Sequence, residues 1–120
     1  MLKTVPQLVS EARQHIRCIS AKAAVSERSQ NSGLLIDVRE PAEHITKPAF
    51  GAINIPRGLL EMKILDLEKD ASRPIYLHCA TSARAILSAE QLARIGYENV
   101  TVITCGIDEI TQACEMTSTD

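Results

Sequence analysis

Apolar positions recur along this chain with two different periods. Val5, Leu8, Val9, Ala12 and Ile16 fall at helical spacing. Thr4 stands ready to cap that helix, with Gln7 three residues on as its capping-box partner. Pro6 is tolerated in a first turn, and the stripe predicts a helix to about Arg17. Ile19 predicts a very short strand. Ser20 caps a second helix to about Arg28, poor in aliphatic residues apart from Ala23, Ala24 and Val25. Ser29 to Gly33 reads as a turn cluster. Leu34 to Val38 is a continuous apolar run broken only by Asp37, without the alternation of a half-exposed strand, and predicts a buried parallel strand. Arg39 to Glu43 opens a turn or short helix, and Thr46 to Gly51 is loop. Ala52 to Ile55 is a brief strand ended by Pro56. Arg57 to Ile64 is a short helix carrying Leu59, Leu60 and Ile64, and Leu67 to Arg73 leads into the next strand.

Ile75 to His78 is that strand, and Cys79 follows it directly. Ala85, Ile86, Leu87, Ala89, Leu92, Ala93 and Ile95 return to helical spacing, and Gly96 closes the helix as a C-terminal cap. Val100 to Ile103 is the last strand, Thr104-Cys105-Gly106 a tight turn, and Ile107 to Glu115 a final helix. Residues 116–120 are expected to fray. Strands alternating with helices predict an α/β fold: three layers, with a parallel sheet covered on both faces. In such sheets, sites lie at the carboxyl ends of the strands. Cys79, Arg39 and Cys105 each follow a different strand and so meet at one edge.

Length and composition narrow the picture. The 120 residues suit one domain with one core. With one Phe, two Tyr and no Trp, that core must be aliphatic. A net charge of −2 and the lack of a basic cluster give no reason to expect nucleic acid or an anionic membrane as partner. No stretch has the apolar length to span a bilayer. Glu11, Arg13 and His15 interrupt where the apolar core of a signal peptide would lie, so a cytoplasmic location is expected. Cys18, Cys79, Cys105 and Cys114 form no Cys-x-x-Cys pair, which excludes zinc spacing and the framework of a small secreted domain. No metal or cofactor is expected.

The candidate chemistry gathers at Cys79. Amides at a helix N-terminus have no partner within the helix and, with the dipole, attract an anion. A cysteine facing them is favoured as thiolate, the nucleophilic form. Ala80, Thr81, Ser82 and Ala83 are small enough for the backbone to curl around a group attached to the sulfur, with Arg84 next. Arg84 either favours an anionic donor or braces the loop. Asp37, charged inside an apolar strand, must be paired. It is expected to hold a neighbouring loop, with an acid/base role as the alternative. Arg39 either pairs with Glu43 across a turn or reaches donor oxygens. His78 precedes the nucleophile and should point to the opposite face. Lys47 and Arg57 are expected on solvated surface, the alternative being positive charge at a mouth. Cys105 is expected to pack in its turn rather than to resolve a disulfide with Cys79.

Leu35-Ile36-Asp37-Val38-Arg39-Glu40, Gly51-Ala52-Ile53-Asn54-Ile55-Pro56, Cys79 with Arg84 five residues later, and Val102-Ile103 before Gly106 together resemble the single-domain rhodanese family, from about Ile19 to Cys114. The resemblance implies a five-stranded parallel sheet between helices. It also implies a sulfurtransferase that moves sulfane sulfur from thiosulfate or a similar donor, through a Cys79 persulfide, to cyanide, a thiol or a sulfur-carrier protein. A non-catalytic binding or regulatory module on the same fold is the second reading. A phosphatase or arsenate reductase ranks lower, because the related phosphatase loop is one residue longer. The chain departs from the family in three places. Ser82 stands where glycine is common, Lys47-Pro48-Ala49-Phe50 replaces Gly-His-Ile-Pro, and Cys105-Gly106 replaces Gly-Gly.

Overall fold

The computed structural model describes residues 1–104 and 106–118, with side chains through 114. The expectation for Cys105 lies outside the described residues. Five strands, β1 (Arg17–Ile19), β2 (Leu34–Asp37), β3 (Ile53–Asn54), β4 (Ile75–His78) and β5 (Val100–Ile103), form one parallel sheet in the order β1-β5-β4-β2-β3. Among the described residues six helices connect and cover them: α1 (Val5–Arg13), α2 (Ala21–Asn31), α3 (Pro41–Thr46), α4 (Leu60–Leu67), α5 (Ala83–Ile95) and α6 (Ile107–Ser118), with a 3-10 turn at Arg57–Leu59. Parallel neighbours need such crossovers, because a tight hairpin cannot join them.

Side chains alternate across the central strands and divide the core in two. Leu34, Ile36, Val38, Ile75, Leu77, Cys79 and Val102 face Ala12 of α1, Leu60 and Ile64 of α4, and Ala85, Ile86, Ala89 and Leu92 of α5. Leu35, Tyr76 and Ile103 face Ala21 and Ala24 of α2 and Ile110 and Cys114 of α6. The near-continuous apolar strands are thus buried on both faces, as the missing alternation predicted. Small residues let α2 lie close to the sheet. A Cβ at Gly33 would stand 2.5 Å from the Tyr76 ring. That ring's hydroxyl donates to Glu27 and accepts from Asn31.

Several boundaries differ from expectation. The capping box of Thr4 and Gln7 forms, but α1 ends at Arg13 rather than Arg17. Its stripe is only partly used: Ala12 is buried, Val9 and Ile16 pack at the rim, and Val5 and Leu8 remain exposed. The chain needs Ile16 beyond the helix to enter β1, which pairs with β5. Helix α2 runs three residues past Arg28 into the predicted turn cluster and stops at Ser32, whose φ of +55° supplies a left-handed cap. Helix α6 continues to Ser118, through three of the residues expected to fray. Gly96 caps α5 with φ +125°, as predicted. Among the described residues no helix is long and apolar enough to cross a membrane.

Candidate active site

Cys79 lies immediately beyond β4, the central strand, and is 1 % exposed. Four residues later the chain is already in the first turn of α5. That short distance folds the loop back over the sulfur, and the Ala85 N–H donates to Cys79 Sγ at 3.4 Å. The amide that reaches the sulfur thus comes from one residue past the stretch Ala80 to Arg84 that the sequence nominated. Ser82 turns the loop. It is 7 % exposed and holds φ +81°, a left-handed conformation, and its carbonyl then accepts from the Ile86 N–H at 2.9 Å. The serine therefore adopts the backbone angle for which glycine is suited.

Asp37 and Arg39 anchor the same edge from β2. Both are buried, and the Arg39 guanidinium forks onto the carboxylate: Nη2 is 2.7 Å from Oδ2, and Nε is 3.0 and 3.1 Å from the two oxygens. The Arg39 backbone N–H donates to Oδ1, and His44 Nδ1 of α3 lies 2.9 Å from Oδ2. Burial alone would raise the Asp37 carboxyl, but these hydrogen bonds, Arg39's foremost, hold it below the usual carboxylate range. Arg39 also donates to the Lys47 carbonyl at 2.7 Å, and Asn54 Nδ2 donates to the carbonyls of Asp37 and Arg39. The expected pair of Arg39 with Glu43 does not form. A buried guanidinium takes the carboxylate inside its own strand end, and Glu43 turns outward.

Glu43 binds Arg84 instead, at 2.7 and 2.9 Å. Its Oε1 also accepts the Glu40 N–H, closing the first turn of α3. The Arg84 hydrogen bonds hold Glu43 down to about 2, and the same bonds raise Arg84 above its ordinary value. The pair thus stitches α3 to the first turn of α5. Lys47 is half-exposed and paired with Asp108 of α6, and Arg57 is paired with Glu61 at 2.8 Å.

His78 faces away from Cys79, as strand alternation requires. It lies in register with Asp37, is 0 % exposed, and among the described residues neither ring nitrogen makes a hydrogen bond of good geometry. Burial pushes it down to about 4, so it is neutral at pH 7. His15 is exposed and lines a cleft with Arg17, Glu27 and Tyr76 on the amino side of the strands, away from Cys79. The sequence missed three contributors: Glu43 as the partner of Arg84, His44 as a second partner of Asp37, and Asn54 as a clamp on two carbonyls. The Glu40-x-x-Glu43 capping box was the available signal for the first. Asn54 betrayed itself only as a polar residue between two isoleucines.

Comparison with known proteins agrees with this geometry. The family model of the rhodanese-like domain matches residues 20–113. An uncharacterized protein of Bacillus subtilis, YqhL, is 39% identical over 62 residues, 52% of this chain and 48% of its own, so the match spans about half the length of that relative. A protein of Allochromatium vinosum named "Sulfurtransferase" is 30% identical over 74 residues, 62% of this chain and 67% of its own. Among solved structures, the polysulfide-sulfur transferase homodimer of Wolinella succinogenes superposes with a TM-score of 0.71 at 26% identity, covering 88% of this chain and 80% of that one. A Rhodopseudomonas palustris protein of unknown function, described as a possible tyrosine phosphatase, reaches a TM-score of 0.79 with 94% and 92% coverage. At 20% identity it speaks for the fold alone. With the strand order, the strand-end cysteine and a family model over most of its length in agreement, the chain belongs to the rhodanese-like domain family.

Proposed function

We propose that residues 1–120 act as one rhodanese-like domain with sulfurtransferase activity. It takes sulfane sulfur from thiosulfate or a similar donor onto Cys79 and passes it to cyanide, a thiol or a sulfur-carrier protein. One observation carries the reading: Cys79 ends the central strand with its sulfur accepting an N–H from the first turn of α5. The unpaired amides and dipole at such a helix end favour negative charge on sulfur. The names of the Allochromatium and Wolinella relatives support it.

The chemistry is two displacements. The Cys79 thiolate attacks the outer sulfur of the donor. A sulfur–sulfur bond forms at Cys79, the donor's own bond to that sulfur breaks, and its electron pair leaves on sulfite when thiosulfate is the donor. The acceptor then attacks the outer sulfur of the persulfide, and the electron pair returns to Cys79. Cyanide departs as thiocyanate, a thiol as its persulfide. In this reading Ala80, Thr81, Ser82, Ala83 and Arg84 wrap the carried sulfur, and Asp37 and Arg39 support the loop from β2. The two steps need no metal or cofactor, and they suit the cytoplasm, where thiols stay reduced.

The 1 % exposure of Cys79 favours a second reading, a rhodanese-like binding module without turnover. A phosphatase is less well supported, because Arg84, the cation after the loop, is committed to Glu43. The test is direct. The reduced protein is incubated with thiosulfate, freed of donor and weighed intact, with Cys79→Ala alongside. A gain of one sulfur atom, lost on adding cyanide with release of thiocyanate and absent in the variant, is the expected result. No gain from thiosulfate or from any other sulfane donor would favour the binding module.

A further inference from the structure

Helices with a hydroxyl residue at the cap position start in two different ways in this chain. Thr4 and Ser20 precede α1 and α2 with extended backbone, at φ −87° and ψ 162° and at φ −76° and ψ 163°. Each hydroxyl accepts the N–H of the third helical residue, Gln7 at 3.2 Å and Ala23 at 3.1 Å. This is the ordinary cap, in which a polar side chain satisfies one of the unpartnered amides of a first turn. Ser82 stands in the same place before α5, and its side chain makes no cap bond. It is left-handed, at φ +81° and ψ −25°. The third residue of α5 is Ala85, and its N–H goes to Cys79 Sγ at 3.4 Å.

The sulfur of Cys79 thus fills the place that a hydroxyl fills at α1 and α2. The backbone of Ser82 decides between the two acceptors. An extended serine turns its hydroxyl onto the third amide of the helix, and this left-handed one does not. A left-handed conformation is costly for a residue with a Cβ, so local preference alone would give the amide to the hydroxyl. A thiolate deprived of that N–H would lose a charge-assisted hydrogen bond.

On these grounds, and resting on the reading of Cys79 as the nucleophile, we propose that Ser82 is a positioning residue: by holding the left-handed turn it withholds its own hydroxyl and reserves the Ala85 amide for the Cys79 thiolate. The role lies in the backbone conformation. Glycine enters the left-handed region freely and fills the role. Threonine does not, because a β-branched residue there is an outlier, and it brings a hydroxyl able to cap.

The test follows alkylation of Cys79 by iodoacetamide against pH in the full chain, read on the peptide that carries Cys79. Ser82→Thr is expected to hand the amide to the threonine hydroxyl. The pH of half-maximal rate then rises by about one unit, roughly the tenfold effect of a hydrogen bond to a charged group. In Ser82→Gly that midpoint does not rise. A change of access alters the plateau at high pH and a change of charge on sulfur alters the midpoint, so a merely structural turn would leave the midpoint in place. The titratable groups at this end of the packed elements are Arg84 of α5 with its partner Glu43 of α3, His44 of α3, His78 of β4, and Asp37 and Arg39 at the end of β2. From α1 and α4 the core cluster that includes Cys79 receives Ala12, Leu60 and Ile64. All are common to the three proteins. A second measurement needs no variant and serves if the threonine protein does not fold. In the wild type the Ala85 amide proton resonance is expected to shift with pH along the alkylation curve, while those of Gln7 and Ala23, capped by hydroxyls, show no step at that midpoint. An Ala85 resonance that ignores the curve, a threonine midpoint equal to the wild type, or a glycine midpoint raised like that of threonine overturns the proposal. No sulfur donor enters these measurements, so such a result leaves the sulfurtransferase reading to its own test, the loading of Cys79 by sulfane donors.

Discussion

Ser82 holds φ +81° and ψ −25° inside the loop that follows Cys79. An L-residue there brings its Cβ against the following carbonyl, at a cost of about 1 kcal/mol or more. Family members with glycine at this point avoid that cost, and this chain keeps serine while keeping the turn. Ser82→Gly is accordingly expected to stabilise the protein by about 1 kcal/mol, less a few tenths for the added freedom of the unfolded chain. Thermal melts of the two proteins measure this directly. An unchanged or lowered melting temperature would mean that buried contacts of the serine side chain outweigh the strain. The residue's type was legible as a departure from the family. Its backbone angle was not, because the angle is imposed by closing a four-residue loop between a fixed strand end and a fixed helix start.

The link from β2 to α3 shows what lies beyond the reach of local pattern. Asp37 stood out in the sequence because a charge in an apolar strand demands a partner, and the partner is there. The pattern offered Arg39 either Glu43 or the oxygens of a donor and did not single out Asp37, nor could it see that Glu43 would meet Arg84, 41 residues away in sequence. Local spacing found strands and helices where one period dominates, as in β2, β4 and α5. It overran α1, whose last apolar residue belongs to the entry into β1. It stopped α2 early, because serine and asparagine look like a turn until tertiary packing extends the helix. Asp37→Ala would leave the Arg39 guanidinium buried and uncompensated, which typically costs about 3–5 kcal/mol. Glu43→Ala removes a half-exposed pair and should cost at most about 1 kcal/mol. Urea titrations of both variants check the contrast, and comparable losses would refute the division into a buried anchor and an exposed stitch.

At the scale of the whole molecule, His78 sets an acid limit on stability. Its ordinary value is 6.5, and in the fold burial pushes it down to about 4. Between those values the unfolded chain binds a proton that the native state does not, so stability falls as pH drops from about 6.5 to 4. The shift corresponds to roughly 3 kcal/mol. Asp37 and Glu43, both held below their usual range, add a further loss at lower pH, as Glu43 protonates on the way to about 2. His78→Leu, close to it in volume, removes two buried ring nitrogens that make no hydrogen bond of good geometry among the described residues. The variant should be more stable at pH 7 and should lose the decline between pH 6.5 and 4. Urea midpoints at pH 7.5 and 4.5 read both effects, and an undiminished decline in the variant would remove His78 as its cause.

The sheet order has a temporal consequence. Among the described residues β1 has β5 as its sole neighbour in the sheet, with Arg17 opposite Thr101, so the first of the sheet's five strands to be made has no sheet partner until the last of them has emerged. β2, β3 and β4 can associate beforehand, and Cys79 already ends one of them. Long-range pairing of this kind slows folding. During synthesis Cys79, the proposed nucleophile, would therefore stand uncovered on the β5 side before β1 and β5 complete the sheet around it.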